Sequence, residues 1–469
     1  MADNAAAGSE TPRADEEHGM TLAGELAEFV TNMRGTALPP VTLERARMSV
    51  ASTIASAAAG IDIESAAIVR SLEEARGGTP EATLWFFGSR LPVGDAARVN
   101  ALASDAAASD DSDLRSIAHI GTIVGTTSIA MAERLGRTGH DVLEAMVLGY
   151  EVAGRMDESL TPGRSQRGFH GSVSTVFGGA VATGTMLRLT QPQMTQAIAI
   201  AATSIGGMTI AADTSWAREY HAGLSAMLGV QAAVAAERGF TVEEHLLEAP
   251  RGFLDAMGGQ AREEITKDLG REWDIVTDMA IKLVPGGHPY HAVAEAAANA
   301  AIEGDVDPTD IASIIVSGAQ FTLWHGPIHP RDLIGAAHSI FYFVAAAIAD
   351  RGFGWAHVTD EKMTDRVINA LQDLVTIDQN PEPHPDRFLH RHGGTVTIVL
   401  KDGQRVTNTC TAPRGSGPRG VEWSDVDTKY RRLVPLSGLS AERMEASLAV
   451  VHDLDAVQRM SDLTSLLLR

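Results

Sequence analysis

The chain has 469 residues, with 60 Asp and Glu against 38 Lys and Arg, a formal net charge of −22 and one cysteine, Cys410. One thiol cannot close an internal disulfide, build a Cys-rich zinc site or hold an iron–sulfur cluster. The acidic balance excludes a nucleic-acid partner, because phosphate binding needs a basic face.

Residues 1–20 are polar and net acidic, lack the basic start and apolar stretch of a secretory signal, and are expected to form a disordered tail. From 21 to 278 the apolar residues recur with helical period, and helices are predicted at 42–60, 99–108, 122–135, 141–156, 174–187, 191–202 and 219–238. Several are apolar nearly all round, which places them in the middle of a multi-helix core. Gly239 stops the last, and Thr241-Val-Glu-Glu244 fits a capping box that opens a short new helix. The longest uncharged apolar run, 197–212, is too short and too rich in small residues to span a membrane and reads as a buried core helix. A soluble, cytoplasmic protein with no membrane partner is expected. Only 83–87 reads as a strand in this half.

The character changes near Lys282. Segments 311–321 and 395–400 are rich in β-branched residues, and Asp402-Gly403 is a hairpin turn signal leading into 405–411. Helices are predicted between them at 290–302, 333–350 and 360–375. The chain turns helical again at 424–433 and 441–468. The expected fold is mainly α: a large all-helical domain (21–278, with 421–469 packing back on it) and an inserted, smaller α+β domain (279–420).

Gly415-Ser-Gly417-Pro-Arg-Gly420 matches G-x-G-x-x-G, but Pro418 and the missing βα unit make it a loop and not a dinucleotide site. There is no G-x-S-x-G elbow, Walker loop or H-E-x-x-H motif. The histidine groups His288/His291 and His384/His390/His392 lack further ligands nearby, so no metal centre is expected. Four other segments carry chemistry. Ser109-Asp110-Asp111-Ser112-Asp113 is followed by His119, and Arg167-Gly-Phe169-His170-Gly-Ser172 sets a histidine between glycines. Arg218-Glu-Tyr-His221-Ala-Gly223 interrupts a small, apolar helical stretch, and Lys282-Leu-Val-Pro285-Gly-Gly-His288-Pro-Tyr290-His291 lies at the domain junction. Each basic residue alone reads as a satisfied structural group. Together they suit proton transfer on a small carboxylated substrate, with no cofactor motif.

The order and spacing of these segments resemble the MmgE/PrpD family, whose members include 2-methylcitrate dehydratase, cis-aconitate decarboxylase and iminodisuccinate epimerase. Further anchors are Val99-Asn100, Gly149-Tyr-Glu-Val152 with Arg155, Gly239-Phe240-Thr241, a histidine following Lys282 and Pro285, residues 339–345 and Lys429-Tyr-Arg431. The resemblance implies a helical domain with an α+β lid, a homodimer, and chemistry without metal or cofactor. It carries pocket roles onto His119, His170, Lys282 and Ser112. Two departures stand out: Ala108 replaces the first acid of the acidic loop, and Arg218 replaces a lysine, leaving a group that clamps a carboxylate but does not exchange a proton. A third is Ala336-Ala337-His338-Ser339, where the family usually reads Ala-Lys/Arg-Phe-Ser, which removes another charge.

The expected function is a lyase, foremost a dehydratase, acting by proton abstraction next to a carboxylate of a small di- or tricarboxylic acid. His170 is the expected base and His119 the acid, or the reverse. Asp110 and Asp111 orient a histidine or a substrate hydroxyl, or else cap the next helix. Ser112, Arg218, His221, Lys282, His288, Tyr290 and His291 are the expected substrate contacts. Epimerisation or decarboxylation in the same pocket, and carboxylate binding without turnover, are the alternatives.

Overall fold

The computed structural model describes residues 19–115, 117–204, 207–259, 262–382, 392–417 and 419–469. Nearly all of the expected tail, together with His384, His390 and Pro418, lies outside the described residues.

Thr138 opens helix Gly139–Leu160 with a capping box: its hydroxyl accepts from Asp141 N at 3.1 Å while Asp141 Oδ2 accepts from Thr138 N at 2.9 Å. This helix is buried almost throughout and packs on helices Ile120–Leu135 and Ser172–Met186, the arrangement its all-round apolar sequence demands. Glycines let the central helices meet backbone to backbone. A Cβ added at Gly149 would stand 2.7 Å from the Gly178 carbonyl, and one at Gly229, in helix Ala217–Glu237, 2.8 Å from the Gly179 and Ala180 backbone.

The fold is mainly α. One hydrophobic core joins residues between Leu22 and Ile281 with residues between Val421 and Leu467. A second runs from Tyr290 to Cys410. There a four-stranded sheet has the order Val375–Ile377, Ile311–Ser317, Gly394–Leu400, Arg405–Cys410, with only the first pair parallel. Helix His291–Glu303 packs on the last two strands, and helix Ile340–Ala349 packs on that helix. A separate two-stranded pairing, Asp111–Asp113 against Met279–Ile281, ties the acidic loop to the strand that leads into Lys282.

Several predicted elements change. The run 197–212 is not one core helix: helix Gln191–Ala201 ends early, a new short helix spans Thr209–Thr214, and Met208 and Ile210 are exposed. No helix follows Thr241; the segment forms turns. The 333–350 helix breaks at His338, where Ser339 Oγ accepts from Tyr342 N and caps a second helix. Asp365 breaks 360–375 the same way, accepting from Val367 N and Ile368 N. Helix Ala441–His452 gives way to short turns, and of 83–87 only Thr83 joins a strand, Ala82–Thr83, which pairs with Arg90–Leu91. Among the described residues no single helix is long and apolar enough to cross a membrane.

Candidate active site

The pairing Asp111↔Ile281 sets Asp110 beside Lys282, although 172 positions separate them in the chain. Lys282 Nζ donates to Asp110 Oδ1 at 3.0 Å. The other oxygen, Oδ2, stands 3.1 Å from His119 Nδ1. His119 Nδ1 also lies 2.7 Å from the Asp111 carbonyl, which only accepts, so this nitrogen carries a hydrogen. Burial works against charge at Asp110, yet His119 and Lys282 hold its carboxyl well below the usual carboxylate range. Burial works against His119 too, and the Asp110 carboxylate still lifts its pKa above the ordinary histidine value. The charged form of the ring is therefore favoured more than in an ordinary histidine. Behind Asp110, the buried Lys429 donates to Ser52 Oγ at 2.8 Å and to the Ser109 carbonyl, and burial brings its amine down to about 7.

The two adjacent acids do different work. Asp111 accepts from Gly121 N at 2.9 Å and Thr122 N at 3.1 Å, which caps helix Ile120–Leu135. Burial and the Asp110 charge push it up to about 6. Ser112 is buried within the short pairing, with its hydroxyl unpartnered, and does not reach the cavity. Between His119 and this pairing the chain turns through Ile117, a β-branched residue at φ 65° on the cavity wall, a strained conformation of the sort that clusters at functional sites.

A cavity of about 600 Å³ opens between the helical body and the α+β unit. His119, His170, Arg218, Lys282, His288 and Tyr290 line it as the sequence suggested. His170 N donates to the Gly207 carbonyl at 2.8 Å, and its Nδ1 accepts from Ser172 N at 3.4 Å. Burial, then the charge of His119, drives its pKa well below the ordinary value. His288 is fully buried with both ring nitrogens unpartnered, and burial followed by His291 keeps it neutral. Besides Ser112, two expected contacts do not face this cavity. His221 stands behind His170, ring centroids 5.6 Å apart. His291 turns the other way, into a second cavity of about 640 Å³, with Nε2 3.3 Å from the Gly286 carbonyl and its ring stacked on Phe343. Burial and Lys282 bring it down to about 3.

Residues 24–266 match the MmgE/PrpD N-terminal domain and residues 285–455 the MmgE/PrpD C-terminal domain. The chain belongs to the MmgE/PrpD family. Two curated relatives are similar along nearly their whole length, both named cis-aconitate decarboxylase. One, from Aspergillus terreus, is 24% identical over 430 residues, covering 86% of this chain and 87% of the relative. The other, from Aspergillus terreus strain NIH 2624 / FGSC A1156, is 25% identical over 482 residues, covering 97% and 96%. Lys282 falls in the stretch between the two MmgE/PrpD matches.

The MmgE/PrpD cavity of this chain also holds residues the sequence did not single out. Arg164 lines it, donating to the Phe169 carbonyl at 3.0 Å and standing 3.5 Å from Asp157. Asp105, unremarkable in sequence, holds Arg218: Nε donates to Oδ1 at 2.7 Å and Nη2 to its carbonyl at 2.8 Å. That Nε edge of Arg218 is thus occupied, and the bidentate carboxylate clamp expected of it is not free there. His338, placed on the wall by the helix break, donates from Nδ1 to the Ile334 carbonyl at 2.8 Å. Asp105, Asp110 and His119 bring ligating atoms within 4.8 Å of one another. As a metal set they fit poorly, since Nδ1 of His119 carries a hydrogen and both carboxylates already hold cations.

Proposed function

We propose that this chain is a lyase that breaks a bond next to a carboxylate of a small polycarboxylic acid, and that the bond is the one to a departing CO2. One observation carries the reading: Asp110 holds Lys282 and His119 side by side on the cavity wall, at 3.0 and 3.1 Å. When a carboxylate leaves as CO2, its bonding electron pair passes into the carbon skeleton. A second, conjugated carboxylate takes up that charge, and Lys282 stabilises it there. One proton delivered to carbon then completes the product, and His119 is built to deliver it from Nε2. The ring regains its proton from solvent before the next turnover.

The cavity is better supplied with proton donors than with bases. With Nδ1 of His170 accepting from Ser172 N, the neutral ring carries its hydrogen on Nε2. That presents a donor where the sequence suggested a base. The names of the relatives accord with CO2 loss. Dehydration, the leading expectation from sequence, is the second reading and rests on His288, whose neutral, unpartnered nitrogens could take a proton while His119 protonates a leaving hydroxyl.

The test is a set of unsaturated and hydroxylated di- and tricarboxylates, followed by proton NMR with parallel CO2 detection. CO2 release that stops in His119→Gln supports the proposal. Loss of water without CO2 transfers support to the second reading. Saturable binding with no product from any compound would leave a carboxylate-binding protein and end the enzymatic account.

A further inference from the structure

Four cationic side chains line the cavity, His119, Arg164, Arg218 and Lys282, and none of them faces it uncompensated. Asp110 holds Lys282 and His119, Asp105 holds Arg218 at 2.7 Å, and Asp157 stands 3.5 Å from Arg164. Behind them Lys429 and Asp111 are of opposite sign, and Glu219 next to Arg218 adds negative charge. The wall as a whole therefore carries little net positive charge. Burying a carboxylate without a matching cation costs several kcal/mol, so the number of carboxylates this site accepts is limited.

The opposite wall offers no Lys or Arg among the described residues. It includes Leu323, Trp324, His325, Pro327, Ile334 and His338, with Asp332 beside them. His338 donates from Nδ1 to the Ile334 carbonyl, so the neutral ring turns a lone pair outward on Nε2. Burial and the charge of Arg218 bring its pKa down to about 4, which keeps the ring neutral. A carboxylate opposite that nitrogen sets acceptor against acceptor. A hydroxyl or amide N–H donates to it.

Resting on the lyase reading above, we infer that the substrate is a dicarboxylate whose remaining arm is uncharged and donates a hydrogen bond to His338, and that a tricarboxylate is the poorer ligand. Two carboxylates suffice for the chemistry, one to leave and one to receive the electron pair. The substrate then differs from the cis-aconitate of the relatives' name, which carries three.

The probes are propane-1,2,3-tricarboxylate and its central and terminal monoamides, which match in shape and differ by one charge. Calorimetry at pH 7.5 should find one monoamide bound about ten-fold or more tighter than the tricarboxylate, with His338→Lys removing or reversing the preference. Arg218→Gln should weaken every ligand. If His338→Lys does not fold, wild-type titrations in buffers of different ionisation enthalpy serve instead: the tricarboxylate should take up a proton on binding and the monoamide should not. A tricarboxylate that binds as tightly as both monoamides, still dependent on Arg218 and without proton uptake, overturns this inference and leaves the lyase reading standing. Failure of all three to bind, or indifference to Arg218→Gln, refutes the cavity as the site and both readings with it.

Discussion

Replacing Asp110 by Asn keeps the shape of the side chain and removes the charge that both His119 and Lys282 face at 3.1 and 3.0 Å. At an effective dielectric near 20, unit charges about 4 Å apart attract by about 4 kcal/mol, which sets the scale of what the Asp110 carboxylate contributes. His119 is raised above its ordinary value by that carboxylate, so its imidazolium persists to higher pH than in an ordinary histidine and is lost as pH rises through the raised value. In Asp110→Asn burial and Lys282 work against the charge with only Asp105 left to favour it, so the pKa of the ring falls. Removing the proton donor should lower kcat/KM by about 10²–10⁴ at pH 7 and move the alkaline limb of the profile downward. Lys282, left buried without its partner, should destabilise the fold by about 3–5 kcal/mol. The check is an NMR titration of the His119 ring, which needs no substrate, beside the pH dependence of kcat/KM. An Asn variant whose His119 titrates as in the wild type, with an unmoved alkaline limb, would refute the reasoning.

Asp111→Ala removes only a helix cap, so a loss of about 1–2 kcal/mol in denaturant unfolding is expected with turnover near wild type; the opposite pattern would return Asp111 to the chemistry. Gly229→Ala drives a Cβ into the Gly179 and Ala180 backbone and should destabilise by about 1–3 kcal/mol, read as a fall in Tm. Asp113 is pushed up to about 8 by burial, against the pull of Arg115. The native state then holds a proton the unfolded chain releases, so this contribution to stability is lost as pH rises from about 4 through about 8. Asp113→Asn should flatten that part of the stability–pH curve. Arg218→Gln should raise KM for any carboxylated substrate while leaving Asp105 as a buried acid without its guanidinium partner, visible as lower stability in denaturant unfolding.

Much of the fold was legible because helix periodicity and turn chemistry are local. Helices such as Pro40–Gly60 and Ala217–Glu237 and the hairpin at Asp402-Gly403 stand where the pattern placed them. Errors fall where a side chain overrules periodicity: Ser339 and Asp365 cap new helices inside apolar runs that read as continuous. His119, His170, Arg218, Lys282 and His288 converge as expected. Sequence could not separate Asp110 from Asp111, because which acid meets Lys282 depends on a strand register between distant segments. Asp105 and Arg164 carried no motif at all. Asp105 matters through Arg218 at 2.7 Å, a contact made only by tertiary packing. His221 and His291 show the converse, histidines in promising motifs that packing turns away from the cavity.

The most direct test of the central claim, that His119 held protonated by Asp110 gives its proton to the carbon vacated by CO2, is turnover in deuterated buffer analysed by NMR. The expected product carries one deuterium at the carbon that lost its carboxylate, and His119→Gln abolishes its formation. Product formed by loss of water alone, or decarboxylation that continues undiminished in His119→Gln, would contradict the claim.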